Sequence, residues 1–279
     1  MLIRCWGARG SIAVSGPEYF KYGGDTTCLE IRTKNDEIII VDAGTGIRKL
    51  GNELLNEGRQ KLNVIFTHAH WDHILGFPFF RPIYVEGTHI TFFGCPFAQQ
   101  SVKDLIAKSM NPPYFPVNFD DIKAKIVFRG ACKETFTIDS VTISPILLSH
   151  PNKGLGYKFT EDDKSFVFLT DNELMFKHPG GLEYSDYVDF CSNAHLLMHD
   201  SEFRQSEYPL KKGWGHSVYT DALQLALDAG VQEFGLFHHN QDRTDRELDE
   251  MVDDCLNTIR TRKSDLQCLA VPAGLEIEL

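Results

Sequence analysis

"FTHAHWDHILG" (residues 66–76) sets His68, His70, Asp72 and His73 within six positions, at the end of the apolar run "LNVIF" (62–66). Such a run reads as a buried strand, and four ligating side chains just past its end can reach a common rim. Side chains two apart in an extended turn point the same way. His68 and His70 can therefore bind one cation while Asp72 and His73 bind a second nearby. Neutral imidazole and carboxylate suit divalent zinc, manganese or iron, with zinc the first expectation. A lone histidine is usually a satisfied core or surface residue, but four ligating groups so close together make an unusual solvated loop.

Around this stretch, strand-like and helix-like runs alternate along the chain. Strands are predicted at "CLEIRT" (28–33), "EIIIVD" (37–42), "HITFFG" (89–94), "KIVFRG" (125–130), "ETFTID" (134–139) and "VTISPILLS" (141–149). Later strands are "LGYKFT" (155–160), "SFVFLTD" (165–171), "HLLMHD" (195–200) and "EFGLFH" (233–238). Helices are predicted at 47–58, 97–110, 219–230 and 245–260. The mixture implies an α/β protein, sheets covered by helices, and length alone leaves one large domain or two small ones open. "MNPPYFPVNFDD" (110–121) carries three prolines and three aromatics and continues neither neighbour, which leaves a lid or a packed connection, the latter favoured.

Composition narrows the function classes. The 279 residues are 42% hydrophobic and 24% charged, as in ordinary globular proteins. With 28 basic against 39 acidic residues the net charge is −11, which repels long nucleic acid at a distance. A small anion drawn in by a local cation remains compatible. No run approaches the roughly 20 apolar residues of a membrane span, and "MLIRCWGARGS" lacks the apolar stretch of a secretory signal, so the expectation is cytoplasmic, without membrane partners. Seven scattered cysteines without a C-x-x-C pair (Cys5, Cys28, Cys95, Cys132, Cys191, Cys255, Cys268) read as reduced, mostly buried thiols.

"THAHWDH" resembles the His-x-His-x-Asp-His signature of the metallo-β-lactamase-fold hydrolases, and the family's other landmarks follow in order. The resemblance implies one domain over 1–279, a four-layer αββα sandwich holding two divalent metal ions. It assigns a supporting role to Asp42 in "EIIIVDAGTG". His150 in "LLSHP" becomes the third imidazole of the first metal, and Asp171 in "FVFLTDN" the bridging carboxylate. In "FGLFHHN" His238 and His239 compete for the last position, and the match favours His238. The ligand set is then His68, His70, Asp72, His73, His150, Asp171 and His238. Aspartate at the bridge argues against the antibiotic-hydrolysing branch, which uses cysteine, and His70 argues against the flavodiiron branch.

"LLMHDSEF" (196–203) and "GWGHSVYTDALQLALDAG" (213–230) resemble paired motifs of ribonuclease Z and related phosphodiesterases. Carried over, Asp200 orients His216, and His216 protonates the leaving alkoxide after attack by a hydroxide generated between the metals. The catalytic set implied is Asp72, Asp200 and His216. Only "PNKGLGYKFTEDDKSFVFLT" separates His150 from Asp171, a hairpin too short for a tRNA-gripping arm. The opening "WGARGSIAVSGPEYFKYGGDTTC" resembles a bacterial group described as cyclic-nucleotide phosphodiesterase-like, with Asp25 in place of its usual asparagine. There Arg9 and Ser11 are candidates for phosphate or cleft contact, with a surface ion pair the alternative for Arg9. The reading is a hydrolase of a small phosphodiester, a cyclic nucleotide being one candidate, and a homodimer one arrangement. Alternatives are a thioester or lactone hydrolase, and a metal-stabilised binding protein without turnover.

Overall fold

The computed structural model describes residues 1–94, 102–130 and 134–279. The first half runs β1 (Leu2–Gly7), β2 (Cys28–Arg32), β3 (Ile38–Val41), α1 (Ile47–Asn56), β4 (Lys61–Ile65), α2 (Trp71–Ile74), β5 (His89–Gly94), α3 (Val102–Ser109) and β6 (Lys125–Gly130). The second runs β7 (Phe136–Ile138), β8 (Val141–Leu147), β9 (Leu155–Glu161), β10 (Lys164–Leu169), α4 (Tyr184–Cys191) and β11 (Leu196–Asp200). It continues through α5 (Tyr208–Lys211), α6 (Tyr219–Asp228), β12 (Glu233–Phe237), α7 (Asp245–Thr261), β13 (Gln267–Ala270) and β14 (Glu276–Glu278). One sheet has the order β14-β1-β2-β3-β4-β5-β6 and the other β13-β12-β11-β10-β9-β8-β7.

Strand side chains alternate between two buried faces, and this builds the layers. Ile39 and Val41 of β3 meet Phe166 and Phe168 of β10 in the core between the sheets. Ile38 and Ile40 face outward against Ile47, Leu50 and Leu54 of α1. Val167 and Leu169 face the other way, against Tyr187 of α4, Leu225 of α6 and Leu248 of α7. The result is the four-layer αββα sandwich. Each fully buried Phe, Leu or Ile in these layers stabilises the fold by about 1.5–3 kcal/mol. The spacing of Ile47, Leu50, Gly51 and Leu54 gives α1 its one apolar face, and Thr244 caps α7 by accepting from the Glu247 amide.

Every predicted strand falls on one observed. The predicted helix 97–110 is seen as α3, and its residues 97–101 lie outside the described set, as do Cys95 and Cys132. Cys5, Cys28, Cys191 and Cys255 are buried free thiols and Cys268 is half-buried. Three strands at the chain ends were not anticipated: β1, which pairs β2 and β14, and β13, which pairs β12. The segment 110–121 is anchored at Met110 and Phe119, which are buried, Phe119 stacking 6.5 Å from Phe77, while Tyr114 between them is 86% exposed. Among the described residues no helix is long and apolar enough to cross a membrane.

Candidate metal centre

Strand direction gathers the site. β3 and β4 run parallel, as do β10, β11 and β12, and β8 runs with β10 because each is antiparallel to β9. His68, His150, Asp171, Asp200 and His238 all stand at or just beyond the C-terminal ends of these strands, where α/β sheets present their clefts. Three residues turn off their strands in the left-handed region: Asp42 (φ 64°), Asp171 (φ 52°) and His238 (φ 58°). For non-glycine residues that conformation is uncommon and gathers at functional sites.

Two groups of ligating atoms form, and Asp171 belongs to both. His68, His70, His150 and Asp171 make one group; Asp72, His73, Asp171 and His238 make the other, with all ligand atoms of a group within 4.8 Å. Asp171 Oδ2 lies 3.5 Å from His68 Nε2 and 3.8 Å from His150 Nε2, while His150 Nε2 stands 3.1 Å from His70 Nδ1. Asp171 Oδ1 lies 3.1 Å from His73 Nε2 and 3.4 Å from His238 Nε2. Asp72 Oδ2 is 3.2 Å from each of those two imidazole nitrogens. Among the described residues the buried Nε2 atoms of His68 and His73 make no well-aligned hydrogen bond and face carboxylate oxygens at 3.5 and 3.1 Å, as expected of nitrogens shaped to meet a cation.

The outer nitrogens are held where a metal-binding imidazole needs them held. His73 Nδ1 donates to Asp42 Oδ2 at 2.7 Å. Thr67 Oγ1 donates to the same oxygen at 2.6 Å and lies 3.1 Å from His68 Nδ1, so it can accept the His68 proton. His150 Nδ1 donates to the Gly215 carbonyl at 2.9 Å, and His238 Nδ1 to Glu202 Oε2 at 3.1 Å. Each arrangement leaves the inner nitrogen's lone pair for a cation.

His216 lies beside these groups. Its Nδ1 donates to Asp200 Oδ2 at 2.6 Å, and Asp200 Oδ1 accepts the amides of Glu202 and Ser217. Burial works against the imidazolium, but the Glu202 and Asp200 carboxylates outweigh it and raise His216 to about 9. A protonated, carboxylate-oriented imidazole at neutral pH is a proton donor.

A family model described as a beta-lactamase superfamily domain matches residues 37–239, which carry all seven metal-ligating candidates. The chain belongs to the beta-lactamase superfamily. It is 24% identical over 258 residues to a ribonuclease Z of Lactiplantibacillus plantarum, covering 76% of this chain and 80% of that protein. It is similar in fold to the metallo-beta-lactamase fold protein YhfI from Bacillus subtilis (TM-score 0.72, 17% identity, 100% and 98% of the chains). Human tRNase Z, short form, is also similar in fold (TM-score 0.67, 17% identity, 100% and 99%).

Within this superfamily member His238, not His239, enters the site. His239 points away, its Nε2 donating to the Val271 carbonyl at 2.8 Å. Arg9 is neither a surface ion-pair partner nor a cleft residue. It is fully buried and donates to the carbonyls of Asn240, Arg243 and Gly23, stapling the N-terminal segment to the loop after His238. Ser11 reaches the site through its backbone, donating its amide to Asp72 Oδ2 at 2.9 Å. Asp25 accepts from Thr45 and pairs with Lys49 at 2.8 Å, so its charge is spent locally.

Sequence reasoning missed several residues that shape the centre. Glu202, two positions past Asp200, binds both His238 and Asn240; its signal was a second acid in "HDSEF". Gly10 packs so closely that a Cβ there would lie 2.3 Å from the His238 ring. Thr67 and Gly215 carried no signal, because a hydroxyl and a carbonyl acceptor are found only once the histidines are placed.

In the metal-free protein the two groups titrate in opposite senses. Burial pushes His68 well below its usual value and His150 down to about 3. For His73 and His238 burial acts the same way, but facing carboxylates, Asp72 and Asp171 foremost, overcome it and raise both well above the usual range. The carboxylates thus favour the protonated form of both rings, and the stability this adds is lost as pH rises through their raised values. A cation must displace the same protons. Zinc titrated into weakly buffered protein is expected to release protons, and occupancy against a competing chelator to fall as pH is lowered. Uptake independent of pH would contradict this arrangement.

Proposed function

We propose that the chain is a metal-dependent hydrolase of a small phosphodiester, one domain over 1–279, holding two divalent ions, zinc in the first instance. His68, His70 and His150 would hold one ion, Asp72, His73 and His238 the other, with Asp171 between them. The observation that carries this reading is Asp171 itself, a buried carboxylate whose Oδ2 faces one histidine group and whose Oδ1 faces the other. Bound there, divalent ions would supply Lewis-acid activation of water and neutralise charge on phosphoryl oxygens.

The chain's own residues do the rest. Asp200 keeps the His216 proton on Nδ1 engaged, so the opposite nitrogen, Nε2, is the one that can hand a proton to a leaving oxygen. Asp42, Glu202 and the Gly215 carbonyl fix the tautomers of His73, His238 and His150. The pairing of a buried acid with His216 supports a leaving group that needs protonation, as an alkoxide does. The ribonuclease Z relatives support phosphodiester chemistry. Between His150 and Asp171 the chain makes only the β9–β10 hairpin, and with the charge of −11 this favours a small substrate over RNA.

The test is an assay of metal-loaded protein on bis-p-nitrophenyl phosphate, a cyclic-nucleotide panel and S-lactoylglutathione, with zinc or manganese added. Cleavage of the phosphodiesters is expected. Thioester cleavage alone, or silence on every substrate, would overturn the reading.

A further inference from the structure

Glu173 lies two residues past Asp171 and belongs to neither ligand group, yet its side chain is only 1% exposed. Four donors converge on this carboxylate. Oε1 accepts the Tyr208 hydroxyl at 2.7 Å and the Gly213 amide at 2.8 Å. Oε2 accepts the Gly215 amide and His178 Nε2, each at 2.8 Å. A buried carboxylate with both oxygens doubly satisfied makes a rigid node, since releasing any donor leaves a buried polar group unpaired.

The residue it grips, Gly215, is the one whose carbonyl meets the metal centre. The Gly215 amide is bonded to Glu173 while the Gly215 carbonyl accepts His150 Nδ1 at 2.9 Å, and the next residue is His216. Gly215 sits at φ +101°, and a Cβ would lie 2.1 Å from His150 Nδ1, so the loop presses directly on the imidazole. From the other side, the Glu173 amide donates to the Ser149 carbonyl, and Ser149 precedes His150. Glu173 thereby grips both the residue before His150 and the residue whose carbonyl holds the His150 ring.

We propose that Glu173 is a positioning residue for the metal centre: by fixing the Gly213 and Gly215 amides it sets the carbonyl that orients His150 and the place of His216. The role for His150 as a ligand rests on the proposed function; the clamp itself does not. A glutamine is the same size, but its amide nitrogen cannot accept from two donors, so Glu173→Gln should free one side of the loop.

The experiment has two readouts. In metal-free protein with 15N-labelled histidine, the His150 Nδ1 proton is expected to be observable in wild type and lost to solvent exchange in Glu173→Gln. In zinc competition with a chelator, the variant should bind one of the two ions about 10–100-fold more weakly and the other as in wild type, the scale on which outer partners of metal ligands act. A merely structural role would lower the melting temperature while weakening both ions alike or neither. Should Glu173→Gln fail to fold, Tyr208→Phe removes one donor and should show the same selective weakening to a smaller degree. Wild-type affinity for both ions together with an unchanged His150 proton, in whichever of the two variants folds, overturns the proposal. Wild-type protein that takes up no metal would instead defeat the functional reading, and the His150 proton would still judge the clamp.

Discussion

Asp171→Asn protein is expected to purify with neither ion and to show no turnover. The two oxygens of Asp171 serve separate histidine groups, so one substitution removes an anionic ligand from both at once. An asparagine keeps the volume and the Oδ1 position but offers one neutral oxygen and one nitrogen that cannot ligate. Losing the ions forfeits the activation of water, and the rate should fall by about 10⁶-fold or more, the lower end of enzymic acceleration. Elemental analysis after dialysis, alongside circular dichroism to show an intact fold, makes the measurement. An Asp171→Asn protein with two ions and measurable turnover would remove the bridging assignment and the mechanism built on it.

His216→Ala is expected to behave differently, keeping its metal while losing rate. A general acid contributes about 10²–10⁴-fold. The loss should therefore reach that range for an alkyl leaving group and be small for p-nitrophenolate, which departs without a proton. The wild-type rate on an alkyl ester should also decline as pH rises through the His216 value, which is about 9 in the metal-free protein and lower once cations stand nearby. Elemental analysis together with kcat on both ester types decides the case. Loss of an ion from His216→Ala would make this residue a ligand instead, as its grouping with Asp200 and His238 allows.

Much of this centre was legible in the residues themselves. The unbroken apolar runs within "EIIIVD" and "SFVFLTD" are the pattern of strands buried on both faces, and those strands carry the inter-sheet core. The spacing of His68, His70, Asp72 and His73 split them into two pairs, and the structure puts the first pair and the second pair into different groups. The terminal strands were harder. β14 is three residues long and β13 four, and strands that short have too few positions to display a period.

His238 and His239 show where reading along the chain stops. Adjacent residues leave a strand in opposite directions, but which one enters the cleft depends on the left-handed turn at His238, closed by Gly10 against its ring. Arg9 makes the same point: its place in a glycine-rich turn suggested an anion contact or a surface pair, and packing made it a buried staple instead. Local periodicity and residue type, which depend only on near neighbours, were enough for sheets covered by helices and for the His68, His70, Asp72 and His73 cluster, while His150, Asp171 and His238 were legible through the family resemblance. Packing in three dimensions set which histidine points inward, and placed Thr67, Glu202 and the Gly215 carbonyl against the outer nitrogens. Those partners lie on segments brought together only by the packing of two sheets, and no local pattern encodes a distance between loops that far apart in the chain.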